Sequence, residues 1–243
     1  FDHGVYVPSF YQQGGSATLV SDYGNDLLPR IRRDVFNGLA HYEFSDAFEV
    51  YAEGKYAKTR SFSLGQPTFD YYLHVAEDNP FLPANILPLI DPDAKEVWVT
   101  RDNFDLGQRG EDIKRETFRT VLGARGEIAA NLHYDLSYVF GQTKVTNHYI
   151  GDILDDRFYA AIDVVNGPNG PTCRVNVDPT WTPNQPDNYT REEYAPTTFT
   201  PGSCIPFNLF GNNNSQAAID WLRTNTTDRA TIRQQVLSGA ING

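Results

Sequence analysis

From Val35 onward the chain alternates apolar and polar residues with a period of two. Phe36, Gly38, Ala40, Tyr42 and Phe44 share one parity; Asn37, His41 and Glu43 share the other, interrupted only by Leu39. After Ser45-Asp46-Ala47 the alternation resumes, with Phe48, Val50, Ala52, Gly54 and Tyr56 on one side. Glu49, Glu53 and Lys55, with Tyr51, occupy the opposite side. Side chains of a strand point to alternate faces, so about ten such residues on each side of a short turn predict a long β-hairpin. A second hairpin repeats the design. Phe118, Leu122, Ala124 and Gly126 oppose Arg119, Arg125 and Glu127, and the turn falls near Ala129-Ala130-Asn131. The return strand sets Tyr134, Leu136, Tyr138 and Phe140 against His133, Asp135, Ser137 and Thr143.

These hairpins divide the chain into 1–29 (loop or strand start), 30–58 (first hairpin), 59–113 (long loop), 114–145 (second hairpin), 146–234 (long loop) and 235–243. The last of these, with Val236-Leu237-Ser238-Gly239-Ala240-Ile241, reads as the start of a further strand. Both long loops are rich in Pro, Gly, Asn and Asp. Short helices are expected at Asp156–Val164 and at Gln216–Arg223 behind a Ser215 N-cap. Compact soluble domains rarely carry structureless connections beyond roughly 12–15 residues. An outer-membrane β-barrel makes tight turns at one end and long loops at the other ordinary. Lipid offers no hydrogen-bond partner, so strands there must satisfy one another, with the apolar parity facing hydrocarbon and the polar parity the lumen. Phe36, Phe44, Phe48, Tyr56 and Tyr134, near strand ends, suit an interfacial aromatic girdle. The expected fold is therefore all-β: antiparallel long-stranded hairpins from a transmembrane β-barrel, with long extracellular loops containing short helices. An antiparallel sheet with one face on a soluble core gives the same alternation.

Composition narrows the function classes. Twenty Lys and Arg stand against 31 Asp and Glu, a net charge of −11, and no basic stripe exists to neutralise nucleic-acid phosphates. No stretch approaches the roughly 20 apolar residues of a membrane-spanning helix. Aromatic residues make up 13 % of the 243, too many for a disordered chain. Met is absent and no basic-then-apolar leader opens the chain, so a processed chain or an excised piece of a longer one is expected. Cys173 and Cys204 lie in a Pro/Asn/Gly-rich loop and suit a disulfide in an oxidising compartment, two unrelated free thiols being the other reading.

No catalytic signature is present: there is no G-x-S-x-G, H-E-x-x-H or G-x-x-x-x-G-K-[ST] run. His3, His41, His74, His133 and His148 are scattered, and neither a metal site nor a cofactor is expected from them. The acidic groups Asp91/Asp93, Asp102/Asp105, Asp152/Asp155/Asp156 and Glu192/Glu193 lack calcium-loop spacing and read as loop charge or helix starts. The long loops are the natural ligand-facing surface. Tyr71, Tyr72, Trp98, Trp181 and Tyr189 are the candidate ligand-facing aromatics, although most loop aromatics are expected to pack the loops themselves.

The chain also resembles a family. Y-A-E-G-K-Y at Tyr51–Tyr56, Q-P-T-F-D-Y-Y at Gln66–Tyr72 and D-N-P-F-L-P at Asp78–Pro83 resemble the middle barrel region of TonB-dependent outer-membrane receptors. So do R-G-E-I at Arg125–Ile128, Y-D-L-S-Y at Tyr134–Tyr138 and D-R-F-Y-A-A-I-D at Asp156–Asp163. C-I-P-F-N-L-F-G at Cys204–Gly211 and S-Q-A-A-I-D at Ser215–Asp220 extend the resemblance over most of the chain. It implies a transporter rather than an enzyme, in the bacterial outer membrane with its loops extracellular. The implied partners are outer-membrane lipid and a scarce small-molecule or oligosaccharide ligand: a siderophore, a vitamin or a glycan. It also implies a bridge from the cysteine before the P-F-N-x-F-G segment to one upstream, which agrees with Cys173–Cys204. A whole receptor of this kind resembles a barrel of about 22 strands around a plug. This chain has room for four to six strands and shows neither plug nor TonB-contacting box, so contact with the TonB complex belongs to parts absent here. The alternatives are a secreted soluble all-β carbohydrate-binding module or adhesin, and a β-rich hydrolase with dispersed carboxylates.

Overall fold

A computed structural model describes residues 23–129, 131–178, 180–182, 198–211 and 213–243. In chain order the elements are β1 (Arg30–Ser45), β2 (Phe48–Pro67), β3 (Phe69–Ala76), β4 (Glu96–Asp102), β5 (Gln108–Ala129) and β6 (Leu132–Ile153). There follow α1 (Asp155–Ile162), β7 (Val164–Gly167), β8 (Gly170–Cys173), α2 (Arg174–Val177), α3 (Gln216–Leu222) and β9 (Arg223–Asn242). The fold is mostly antiparallel β. Five long strands form one sheet in the order β1-β2-β5-β6-β9, while β3 pairs with β4 and β7 with β8. Among the described residues the sheet is open, with β1 and β9 at its edges.

The long strands run further than their alternation. β2 extends to Pro67 rather than ending near residue 58, and β5 and β6 together cover 108–153 rather than 114–145. Both expected loops are correspondingly shorter. The segment 235–243 is the end of β9, not the start of a new strand, because that strand begins at Arg223. For β9 the physical reason is that both faces are polar in Thr224–Arg229, so the period-two signal disappears there while backbone pairing continues. The second turn contains Asn131 at φ 68°, a conformation Asn tolerates better than most residues; Ala130 lies outside the described residues.

The chain divides into two units. The first comprises Asp26–Ser63, Gly110–Tyr149 and Thr226–Gly243. In it, Phe36 pairs with Tyr56, Gly38 with Gly54, Ala40 with Ala52 and Tyr42 with Val50, which places the apolar parities of β1 and β2 on one face. Phe118 of β5 continues this face, its ring centroid 6.3 Å from that of Phe140 on β6. Tyr138 Oη donates to Gln235 Oε1 at 3.1 Å, which aligns Leu237 and Ile241 of β9 with the same band. Among the described residues nothing covers it: Tyr42 is 63 % exposed and Leu237 74 %. From Phe36 to Phe44 the band measures about 26 Å along the strand, at ~3.3 Å per residue.

The opposite face is a ladder of charges. Arg125 forks onto Glu49 at 3.0 and 2.8 Å, and His41 Nδ1 lies 3.3 Å from the same carboxylate. Arg119 reaches Glu53 at 3.3 Å. Tyr51 Oη donates to Asp135 Oδ1 at 3.1 Å, and to reach it the Tyr51 ring lies over Gly123. A Cβ at Gly123 would overlap that ring, so the absence of a side chain there is what permits the crossing.

The second unit, comprising the described residues of Phe1–Asn25, Leu64–Arg109 and Ile150–Asn225, has a hydrophobic core of its own. Leu73, Val75, Val97 and Val99 point inward from β3 and β4; Phe158, Ala161 and Ile162 from α1; Phe207, Ala218 and Leu222 complete it. Ser215 Oγ caps α3 by accepting from Ala218 N at 3.2 Å, a contact worth ~1 kcal/mol. Gly151 sits at φ +71°, with the Gln108 carbonyl where a Cβ would stand, so only glycine fits.

Candidate ligand-facing site

The sequence candidates separate once they are placed. Tyr71 and Trp98 are 61 % and 52 % exposed on the β3–β4 hairpin, and Tyr72 stands between them half-buried. Trp181 is not ligand-facing. It is only 8 % exposed, and its Nε1 donates to Asp163 Oδ2 at 2.6 Å, so it belongs to the core. Tyr189 lies outside the described residues.

A β-bulge builds the exposed group. Asp70 pairs with Arg101 and Leu73 with Val99, so Tyr71 and Tyr72 together oppose Thr100. Tyr72 has φ 57°, left-handed backbone that costs a bulky residue roughly 1–3 kcal/mol. The extra residue keeps Asp70 and Leu73 both directed inward while leaving successive tyrosines available on the surface. Their rings join a continuous row. Phe69 and Tyr71 have centroids 5.4 Å apart, Tyr71 and Tyr72 6.4 Å, and Tyr72 and Trp98 5.9 Å. Trp98 then stacks on His74 at 5.1 Å. Trp98 Nε1 donates to Glu96 Oε1 at 3.0 Å, and His74 Nδ1 lies 3.0 Å from that same oxygen. At the other end the Arg109 guanidinium stands 5.9 Å from the Phe69 ring. The result is an aromatic platform with a carboxylate at one end and a cation at the other. Such a surface stacks against the apolar faces of sugar rings or against planar aromatic groups.

Beneath the platform lies a buried polar cluster that holds the hairpin in place. Arg101 Nε donates to the Leu209 carbonyl at 3.1 Å. Its two terminal nitrogens donate to Asn103 Oδ1 at 2.6 Å, Asp105 Oδ2 at 2.9 Å and the Gly211 carbonyl at 3.0 Å. Its guanidinium also stacks 5.1 Å from the Phe207 ring. Asn103 Nδ2 passes the network on to Thr68 Oγ1 at 3.0 Å and Asp70 Oδ2 at 2.7 Å. Burial pushes the Asp70 carboxyl above its ordinary range, a rise that the bond from Asn103 opposes. Asn214 Nδ2 donates to Asp105 Oδ2 at 2.8 Å. Neither this cluster nor the β3–β4 hairpin was anticipated in the polar stretch 59–113. The signal was present in Val97, Val99 and Arg101 alternating with Trp98 and Thr100.

The disulfide Cys173–Cys204 is formed, with its Cα atoms 6.0 Å apart. Neighbouring side chains anchor the segments it joins. Arg174 binds Asp78 at 2.7 and 2.9 Å and Asp163 at 3.0 and 3.2 Å. The Asp78 bond leads in raising its pKa further above the usual arginine range. Asn176 donates to the Cys204 carbonyl at 2.8 Å and accepts from Cys204 N at 3.1 Å. Of the acidic groups, Glu192/Glu193 lie outside the described residues, and others are structural. Asp91 closes a turn by accepting from Asp93 N at 2.8 Å. Asp156 in α1 accepts from Thr198 N at 2.8 Å. Among the described residues no three His, Cys, Asp or Glu side chains are grouped closely enough to hold a metal ion, and no helix is long and apolar enough to cross a membrane. The chain matches no family model, and no significant similarity to a curated protein or a solved structure was found.

Proposed function

We propose that the chain is a segment of an outer-membrane transporter of the TonB-dependent receptor type. In this reading the Asp26–Ser63, Gly110–Tyr149 and Thr226–Gly243 unit supplies part of the wall, and the loop unit supplies an extracellular ligand-facing surface. One observation carries it: an apolar band across five strands, uncovered among the described residues and backed by a face of paired charges. A soluble sheet has no reason to leave Tyr42, Phe44, Leu122 and Leu237 in water, whereas hydrocarbon makes their exposure favourable. At a strand tilt of about 35–45° the band's length of about 26 Å projects to about 18–21 Å, most of a lipid-facing belt of about 25 Å. The chain's role is then binding and passage, with no bond made or broken. A soluble carbohydrate-binding module shares the aromatic row but not the uncovered band.

The ligand-facing surface is the aromatic row. Titration calorimetry of the full chain in detergent micelles, against a panel of oligosaccharides and of catecholate and hydroxamate iron chelates, should find one class that binds. Trp98→Ala and Tyr71→Ala should each weaken that binding about tenfold, the scale of losing one aromatic anchor. Binding indifferent to both substitutions, or no binding by any class, contradicts the assignment.

A further inference from the structure

The apolar band ends abruptly, and what lies beyond it on the same face is charged. Two residues past the Phe36–Tyr56 pair stands Asp34 opposite Lys58, and two further on Arg32 opposite Arg60, with Arg30 next along β1. On β5 the corresponding positions are Glu116, Lys114 and Asp112. Tyr56 Oη donates to Glu116 at 3.0 Å and Arg60 Nε to Asp112 at 3.0 Å, which fixes their side of the sheet. On β6 the face carries Lys144, two residues from Gln142. Arg233 Nε of β9 donates to Gln142 at 3.1 Å, which brings Arg229 into line as well. Across the five strands this rim holds eight basic residues against three acidic ones, a surplus of five positive charges.

The opposite face at the same height has Arg33 and Arg115 against Glu111 and Asp228, which balance. The chain as a whole carries −11. The positive surplus is therefore confined to one face and to the margin of the apolar band. Immediately inside that margin lies a shallow apolar groove of about 460 Å³, floored by Gly38, Gly54, Ala40 and Ala52 and flanked by Phe36, Tyr56 and Phe118. From the glycine pair to Lys58 is four residues along β2, about 13 Å at ~3.3 Å each.

We propose that this basic collar binds the phosphate groups of anionic lipids, with an acyl chain of the same lipid lying in the Gly38–Gly54 groove. The inference rests on the lipid-facing reading of the apolar band and adds a headgroup preference to it. Two physical terms act together. Hydrocarbon fills the groove where small residues leave space, and the positive surplus attracts phosphate at the level where a headgroup must sit. Arg60 and Lys114 already hold Asp112 and Glu116, so Lys58, Lys144 and Arg229 are the residues assigned to the phosphates.

The test is flotation of the full chain, refolded from detergent, with phosphatidylcholine vesicles and with vesicles containing phosphatidylcholine and phosphatidylglycerol in equal amounts. The collar predicts stronger association with the anionic vesicles at low salt, reduced at high salt. The triple variant K58Q/K144Q/R229Q should reduce that preference at least tenfold, from an attraction of roughly fivefold per basic residue. It should leave association with phosphatidylcholine unchanged. The control R33Q/R115Q, on the opposite face, should retain the preference. Equal association with both vesicles, or a preference the triple variant does not move, overturns the collar and leaves the apolar band intact. Association with neither vesicle overturns the lipid-facing reading itself.

Discussion

Replacing Arg101 with alanine is expected to cost the loop unit about 3–5 kcal/mol, the scale of removing one partner from a buried ion pair. The Arg101 and Asp105 side chains are 7 % and 5 % exposed, so water does not substitute for the lost guanidinium. The substitution leaves the Leu209 and Gly211 carbonyls, Asn103 Oδ1 and the Asp105 carboxylate without their shared donor. Arg101→Lys should recover only part of the loss, because a compact ammonium cannot reach four acceptors arranged around a planar fork. The double variant R101M/D105N should be more stable than Arg101→Ala, because it no longer strands a buried charge. The measurement is direct: all three tryptophans, Trp98, Trp181 and Trp221, belong to the loop unit. Tryptophan fluorescence during urea unfolding in detergent micelles therefore reports this unit alone. A midpoint for Arg101→Ala equal to that of the parent chain contradicts the role given to the cluster.

Opening the Cys173–Cys204 bridge should have the next largest effect. Closing a loop of sequence separation 31 removes enough unfolded-chain entropy to stabilise the folded unit by about 3–4 kcal/mol. Both sulfurs are buried, so Cys173→Ala/Cys204→Ala also forfeits packing against Val175 and Phe207 in the core they share. The expected result is a lower urea midpoint for the tryptophan signal after reduction, and a similar one for the double alanine variant without reductant. The Asn176 bonds to Cys204 tie the same two segments together, and Arg174 anchors the Cys173 segment to Asp78 and Asp163. Adding Arg174→Ala to the reduced chain should therefore destabilise it by more than either change does separately, since neighbours in one network do not act independently. An unchanged midpoint on reduction contradicts this account.

The two hairpins were legible in the sequence because each apolar band has a different environment on its two faces. Phe36 to Phe44 and Tyr134 to Phe140 alternate with His41, Glu43, Asp135 and Ser137, and a period of two admits one local structure. Legibility ended where the two faces became alike. Thr224–Arg229 is polar on both sides, yet it continues the strand because backbone pairing needs no hydrophobic contrast. The helix of Gln216–Leu222 was readable from its Ser215 cap, since a side-chain oxygen three residues before an amide is local information. The aromatic platform was half legible. Tyr71, Tyr72 and Trp98 could be named as loop aromatics, but the bulge that gathers them depends on a register with Thr100, which no local pattern encodes. Trp181 illustrates the converse. Its burial is set by Asp163 and the disulfide segment, and nothing adjacent to it in sequence distinguishes it from Trp98. Arg101 was unreadable for the same reason: two of its partners, Leu209 and Gly211, lie more than a hundred residues away.

The apolar band is tested most directly by placing a fluorophore on each face of the five-stranded sheet. Ala52→Cys on β2 and Ser137→Cys on β6 put single reactive thiols on the apolar and polar faces, while Cys173 and Cys204 stay bonded to each other. Each labelled chain is reconstituted in vesicles whose acyl chains carry bromine, a quencher restricted to the hydrocarbon. The account predicts strong quenching at Ala52 and little at Ser137. Equal quenching at the two positions, or none at Ala52, contradicts it.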